Sequence, residues 1–159
     1  MYRLTRTMDW VLARLHQFAH DPKTTVELES AERFILTFAL MEKLIRRTLT
    51  ELFQVRDGKL SRTEIAERHK KITWGNIEGE WKKYDSQRRL LSVVLGTNNE
   101  FATMQDWARM RNDLIHGNVQ RYGQEYEEAL PDMYAMLEHI KAIFAKEYGY
   151  YGWRGTKFS

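Results

Sequence analysis

Apolar side chains recur at three- and four-residue intervals along most of this 159-residue chain, and no segment alternates as a strand does. That interval places the apolar side chains on one face of an α-helix. The spacing predicts a helix from about residue 4 to 19, a second to about Gln54, a third from Glu100 to His116, and a last long helix around Tyr126–Phe144. Because the connections are short, we expect an all-α fold, an antiparallel up-and-down bundle of four to five main helices.

Two segments carry the capping-box pattern that begins a helix. Thr24 is followed three residues later by Glu27 before the second long helix, and Ser61 is followed by Glu64. The second pattern predicts a short charged helix that ends near Ile72.

The remaining boundaries follow from turn signals. Thr73–Gly79 is interpreted as a connection, and Ser86–Leu95 as another short helix that Gly96 ends. Gly117 occupies the position of a left-handed cap after the helix that ends at His116. We expect one helical domain over residues 1–148 and a tail over 149–159 rich in glycine and aromatic residues, which either stack on bases or pack on the bundle or a second subunit.

The amino-acid composition excludes several classes of function for this chain. The chain has no cysteine, which excludes disulfides, thiolate catalysis and cysteine-ligated zinc. No apolar run is long enough for a membrane helix, and the net charge of +3 permits a nucleic-acid partner without requiring one. We expect a cytoplasmic location. His16 and His20 have metal-ligand spacing but no third ligand nearby, so neither a metal nor another cofactor is predicted.

One helix places unusual polar side chains together. Phe101, Met104, Trp107, Ala108, Leu114 and Ile115 cover a broad apolar face, and Arg111 lies in the middle of it. A guanidinium on such a face requires a carboxylate, a phosphate or a wet interface. Asn112 and His116 are four residues apart and lie on the edge of the polar face. The segment therefore offers a fixed cation, an amide and an imidazole that titrates near neutral pH.

The second long helix carries a charge of the opposite sign in a similar position. Glu42 lies on the apolar face of that helix, among Phe38, Ile45 and Leu49. Two misplaced charges of opposite sign predict that the helices meet there. Glu42 and Arg111 then form either an ion pair that only fixes the helix register, or a pair that orients Arg111 beside a catalytic histidine.

The segment Arg111-Asn112-Asp113-Leu114-Ile115-His116 resembles the signature of the HEPN superfamily, an arginine and a histidine separated by four to six residues. Asn112 fills the polar position that often follows the arginine, and Gly117 is also similar to many members. The helix order agrees, with a glutamate inside the long second helix and another long helix after the motif. The chain departs from one subgroup at Asn118, where that subgroup has a tyrosine that is modified to inactivate it.

Many HEPN domains are metal-independent endoribonucleases that dimerise so that two motifs share one cleft. The resemblance therefore implies a homodimer that cuts RNA, in which His116 is the general acid or base, Arg111 stabilises the charged phosphorane, and Asn112 positions the histidine or the phosphate. It also implies a toxin or phage-defence role, in some cases beside an antitoxin or another defence-system protein. The alternative is a non-catalytic interaction or regulatory domain, in which Arg111 and Glu42 are structural.

The other polar side chains give weaker signals. Arg46 and Arg47 form one of several basic doublets that either contact RNA or lie on a solvated helix face. His69 and His139 stand alone in the sequence and are expected at the surface.

Overall fold

The computed structural model of the protein describes residues 26–96, 99–116 and 123–149. These ranges contain six α-helices and no strand, which confirms the all-α fold class. The helices are α1 (Val26–Asp57), α2 (Arg62–Lys70), α3 (Ile77–Tyr84), α4 (Leu91–Leu95), α5 (Glu100–Ile115) and α6 (Gly123–Tyr148). The predicted helix over residues 4–19, the Thr24 cap, the Gly117 cap, His16, His20, Asn118 and tail residues 150–159 lie outside the described residues.

The core lies mainly between α1 and α6. The three-four spacing of the sequence appears directly in the buried positions of both helices. Those of α1 include Phe34, Phe38, Met41, Ile45 and Leu49, and those of α6 include Tyr126, Met133, Ile140 and Phe144, all fully buried. Burying a large apolar side chain contributes about 1.5–3 kcal/mol. These two faces therefore hold the long helices together.

The long helices alternate in direction along the chain, as an up-and-down bundle requires. Phe34 of α1 contacts Tyr126 of α6 at one end of the core, with ring centroids 4.9 Å apart. At the other end, Phe53 and Phe144 each contact an aromatic ring of α3, so α1 and α6 point the same way. α5 runs in the opposite direction, since the carbonyl of Leu95, just before α5, accepts a hydrogen bond from His139 in the second half of α6.

The capping box at the start of α2 is confirmed. The Ser61 hydroxyl accepts a hydrogen bond from the Glu64 backbone N–H at 3.2 Å, and the Glu64 carboxylate accepts one from the Ser61 N–H at 2.8 Å. α2 ends at Lys70, slightly before the predicted boundary, and Ile72 then turns into the core. The two reciprocal bonds satisfy N–H groups that the first turn of a helix leaves free.

Two predicted boundaries are wrong. The segment expected to be a connection, Thr73–Gly79, contains the start of α3, because Ile77 and Trp81 are buried one turn apart. The helix predicted from Ser86 begins only at Leu91. The Asp85 carboxylate accepts the backbone N–H of Arg89 at 2.9 Å, and Arg88 has a left-handed backbone conformation (φ 58°), so residues 86–90 form a turn.

A buried polar network fixes that turn against the end of α6. Asp85 accepts two hydrogen bonds from the Arg89 guanidinium and one from the Tyr148 hydroxyl, which itself accepts one from the Trp81 indole. Arg89 also pairs with Glu147 at 2.7 Å. Burial alone would raise the pKa of Asp85, but the hydrogen bonds from Arg89 and Tyr148 outweigh it and hold the pKa below its ordinary value.

None of the helices in the described ranges combines the length and the apolar character that crossing a membrane requires.

Candidate functional site

Arg111 of α5 meets Glu42 of α1, the residue of opposite charge. One terminal nitrogen, Nη1, donates to Glu42 Oε2 at 2.5 Å, and the other, Nη2, donates to Asn112 Oδ1 at 3.2 Å. The guanidinium lies over the ring of Phe38, 4.9 Å from its centroid. Only 21% of the Arg111 side chain is exposed, and its Nε is buried without a hydrogen-bond partner among the residues described. The cation is therefore fixed in orientation.

The same carboxylate holds a second guanidinium. Glu42 Oε1 accepts from Arg46 Nε at 3.3 Å, while the two Nη atoms of Arg46 donate to the carbonyls of His69 (3.2 Å) and Ile72 (3.0 Å). The His69 carbonyl lies in the last turn of α2 and also accepts the backbone N–H of Ile72 at 3.1 Å, and the Ile72 carbonyl lies just past the helix. Arg46, predicted as a weak RNA contact, thus holds the end of α2 against α1, and Arg47 beside it is exposed.

The Glu42 carboxylate lies between two cations, the guanidinium groups of Arg46 and Arg111. The side chains of Glu42, Arg46 and Arg111 are 19%, 28% and 21% exposed. Removing a charge from a pair that is largely shielded from water leaves its partner uncompensated. Glu42 is therefore the charged contact that the two guanidinium groups share.

His116 follows directly after the last residue of α5. Its backbone N–H donates to the carbonyl of Asn112 at 3.1 Å, so the residue caps the helix, and its side chain is exposed to solvent. Asn112 is exposed as well, and its side-chain oxygen is directed to Arg111. The three motif residues thus lie within the last two turns of α5 and its C-cap, with the cation largely buried and His116 exposed to solvent.

His69 was expected at the surface, and the structure shows that expectation to be wrong. The ring lies between α2 and α1, where Nε2 is 2.6 Å from Thr50 Oγ1. Because the Thr50 hydroxyl donates to the Arg46 carbonyl, it accepts from His69, and the ring proton belongs on Nε2. Nδ1 is buried and has no partner in the described part of the chain. Burial, followed by the charge of Arg46, lowers the pKa of His69 to about 4.

The position of His69 was available from the sequence. Ile65, His69 and Ile72 follow the three-four spacing of a packed face, which indicates a histidine directed inward. His139 is also half-buried rather than on the surface, with its Nε2 2.6 Å from the Leu95 carbonyl.

A groove runs beside this network between α1 and α2. Its volume is about 450 Å³, and it is lined by Ala39, Glu42, Lys43, Arg46, Arg47, Thr50, Ile65 and His69. Nothing in the sequence alone indicated the groove, because it depends on how α2 lies across α1. Within the ranges that the structure describes, no three histidine or acidic side chains converge as metal ligands.

Fold and site together define an all-helical bundle protein with an arginine, an asparagine and a histidine at the end of one helix. A glutamate of a neighbouring helix pairs with the arginine. No model of a known protein family matches the chain, and no curated protein or solved structure is significantly similar to it. The resemblance to the HEPN superfamily is therefore carried by the motif and the helix order.

Proposed function

We propose that the protein is a metal-independent endoribonuclease of the HEPN type, with Arg111, Asn112 and His116 at its active site. The observation that carries the proposal is the oriented guanidinium of Arg111 near the end of α5, together with the exposed His116 that directly follows this helix. Guanidinium groups bind phosphate oxygens, and imidazole moves protons near neutral pH. A phosphodiester is the substrate that needs both groups at once.

Arg111 retains capacity for a ligand after its internal contacts are made. Each terminal nitrogen carries two N–H groups, and one on each is used, by Glu42 and by Asn112. The other N–H on each nitrogen remains for phosphate oxygens. Holding the cation in place beforehand lowers the cost of reorganisation when charge develops on the phosphorane.

The reaction that suits these groups is attack by the 2′-hydroxyl of the RNA on the adjacent phosphorus. His116 removes the 2′-hydroxyl proton as the new P–O bond forms and the P–O5′ bond breaks. The leaving 5′-oxygen takes a proton from the partner's His116 or from water, and Arg111 stabilises the oxygens of the phosphorane. The products are a 2′,3′-cyclic phosphate and a 5′-hydroxyl end. In the cell, such an enzyme fits a toxin or a phage-defence effector, with an antitoxin or another defence protein as its partner.

The direct test is cleavage of cellular RNA by the purified protein in EDTA. We expect cutting by the unaltered protein and a loss of at least about a hundredfold in His116→Ala and in Arg111→Ala. A general acid–base group contributes about 10²–10⁴-fold, and a group that stabilises charge in the transition state contributes about 10²–10³-fold. His116→Ala changes an exposed side chain, so its thermal midpoint should stay within a few degrees. An RNA with one 2′-deoxy nucleotide on the 5′ side of the scissile bond should resist. Cutting there, or a requirement for magnesium, would contradict the mechanism.

A second candidate function has its own support. The contacts of Arg111 with Glu42, Asn112 and the Phe38 ring are also those of a structural ion pair. In that case the protein is a non-catalytic interaction or regulatory domain. Wild-type protein and His116→Ala would then be equally inactive on RNA, and Arg111→Ala would lower only the stability.

A further inference from the structure

Arg46 connects the end of α2 to the Glu42 carboxylate, and all three of its nitrogen atoms are engaged. Nε donates to Glu42 Oε1 at 3.3 Å. Nη1 donates to the carbonyl of His69 at 3.2 Å, and Nη2 donates to the carbonyl of Ile72 at 3.0 Å. The two terminal nitrogens of this guanidinium are thus bound to the end of α2 rather than to Glu42.

The two oxygens of Glu42 are divided between two cations. Oε1 contacts Arg46 at 3.3 Å, and Oε2 contacts Arg111 at 2.5 Å. A guanidinium can also hold both oxygens of one carboxylate through two parallel N–H bonds, which is a stronger arrangement. Arg46 lies four residues after Glu42 on α1, a spacing at which helical side chains meet. Arg46 can therefore take both oxygens of Glu42 when its terminal nitrogens are released.

The His69 ring helps to hold α2 in the position that prevents this exchange. Its Nε2 lies 2.6 Å from the Thr50 hydroxyl, which donates to the Arg46 carbonyl at 3.0 Å. The ring bond and the bond from Arg46 to the His69 carbonyl hold one residue of α2 at two points. Because α2 has no fully buried residue, its apolar contacts are a weak substitute for these hydrogen bonds.

We infer that Arg46 is a positioning residue of the proposed active site, held by α2 in the orientation that leaves Glu42 Oε2 to Arg111. This inference rests on the proposed function, because it concerns the cation that would stabilise the phosphorane. When α2 moves away from α1, the released Nη atoms of Arg46 turn to Glu42, and Arg111 loses its charged partner. The attachment of α2 thereby controls the orientation of Arg111, although α2 carries no residue of the motif.

His69→Leu tests this link without changing a charged residue. Leucine keeps an apolar side chain at the position but cannot donate to Thr50, so α2 should be held less firmly. We expect kcat for RNA cleavage to fall at least about tenfold, because a group that stabilises transition-state charge contributes about 10²–10³-fold and is here displaced rather than removed. Thr50→Val removes the same hydrogen bond from the side of α1 and should give the same loss. His69→Gln keeps a donor and should retain the wild-type kcat.

A sharper test is rescue by a second substitution. Arg46→Met removes every nitrogen that competes for Glu42 and keeps most of the length of the side chain. We therefore expect His69→Leu/Arg46→Met to regain most of the wild-type kcat, although its α2 is attached no better than in His69→Leu. Arg56→Met is the matched control, because Arg56 also donates to a backbone carbonyl, that of Lys83 at 2.6 Å, about four turns further along α1 than Glu42. Combined with His69→Leu, it should restore nothing.

The orientation of Arg111 can be measured directly, without RNA. Its Nε is buried and has no hydrogen-bond partner in the described part of the chain, so we expect the Nε–H proton to exchange slowly with water. The NMR signal of this group is identified by its absence in Arg111→Ala. Exchange should be at least about tenfold faster in His69→Leu and should return towards the wild-type rate in His69→Leu/Arg46→Met.

The two measurements separate this inference from the proposed function. If the Arg111 signal responds as expected but the wild type cuts no RNA, Arg46 still positions Arg111 and the catalytic proposal fails. If the wild type cuts RNA while His69→Leu and Thr50→Val change neither kcat nor the signal, the catalytic proposal stands and the inference fails. A loss that Arg46→Met does not repair, or that Arg56→Met repairs equally, would mean that α2 acts only through general stability, which also overturns the inference.

Discussion

Arg111 is oriented by three contacts of different kinds: a carboxylate, an amide oxygen and an aromatic face. Glu42 supplies the charged contact at 2.5 Å, and Asn112 and Phe38 supply the other two. Asn112 was expected to position the histidine or the phosphate, and in this structure its oxygen is directed to the guanidinium. At the scale of residues, the proposed catalytic cation is thus held by its neighbours before any substrate arrives.

Glu42→Gln tests whether that orientation serves catalysis. The substitution keeps the shape but removes the charge between Arg46 and Arg111, so both guanidinium groups lose a fixed partner. We expect kcat for RNA cleavage to fall at least about tenfold, with retained affinity for an RNA that is fully 2′-O-methylated and therefore cannot be cut by 2′-hydroxyl attack. The free energy of unfolding should fall by only about 1–2 kcal/mol, because solvent partly screens these side chains.

Asp106→Asn is the matched control, since Asp106 pairs with Arg109 on α5 with both side chains mostly exposed. Its unfolding free energy should change by less than about 0.5 kcal/mol, and its kcat should not change. If Glu42→Gln unfolds the protein, or changes neither kcat nor stability, Glu42 does not act as a positioning residue.

The residues of the site could be selected from the sequence because they violate a pattern. Glu42 and Arg111 each interrupt an apolar face, and the cost of burying a lone charge predicts that they meet. The part that Arg46 plays could not be predicted, since its partners are backbone carbonyls of α2. A sequence pattern gives no information on which carbonyls a tertiary contact brings near.

At the scale of elements, α2 is attached to α1 mainly through polar contacts. It has no fully buried residue of its own. Arg46 of α1 donates to the carbonyls of His69 and Ile72. In the other direction, the His69 ring donates to Thr50, and Arg68 donates to Asp57. A nine-residue helix is too short to be stable in isolation. These contacts therefore determine whether α2 stays in place beside the groove.

Protonation of His69 should weaken that attachment. The ring is neutral in the folded protein down to a pKa of about 4, whereas an unfolded histidine gains its proton near 6.5. The unfolded state thus binds more protons between these values, and stability is lost as the pH falls from 6.5 towards 4. With solvent screening of the half-buried ring, we expect a loss of about 1 kcal/mol between pH 7 and pH 5.

Urea denaturation of wild type and His69→Gln at the two pH values measures this effect. Glutamine can donate to Thr50 but does not titrate, so the pH-dependent loss should be about 1 kcal/mol smaller in the variant. Equal losses in the two proteins would show that carboxylates, not His69, control the acid sensitivity.

Long periodic elements and local caps were predictable, while short elements in contact with the core were not. Local sequence was enough to predict the apolar faces of α1 and α6 and the Ser61–Glu64 capping box. α3 has eight residues and depends on burial of Trp81, and the turn over residues 86–90 depends on contacts between Asp85, Arg89 and the distant Tyr148. Tertiary contacts of this kind override local helix preference.

At the scale of the whole molecule, we expect the proposed enzyme to bring two copies of the motif into one cleft. Ile115, directly before His116, is 63% exposed although it is a large apolar residue at the end of α5. In a two-fold dimer with α5 near the axis, each copy would cover the Ile115 of the other. The same packing would bring both His116 side chains towards one strand of RNA.

Ile115→Glu tests this arrangement. Symmetry would place two introduced carboxylates close to each other at the axis, where like charges and their desolvation oppose association. Light scattering at micromolar concentration should give a dimer for the wild type and a monomer for the variant, and RNA cleavage should fall at least about tenfold.

Val93→Glu controls for the loss of an exposed apolar side chain, since Val93 is 60% exposed and lies on α4, away from the motif. It should remain a dimer with full activity. The two substitutions differ mainly in their position on the protein, so an effect common to both would reflect general solubility or stability rather than an interface.

A wild type that is monomeric and still cuts RNA would mean that one His116 suffices, with water protonating the leaving oxygen. Association through Val93 instead would move the axis away from α5, and the two motifs could not share a cleft.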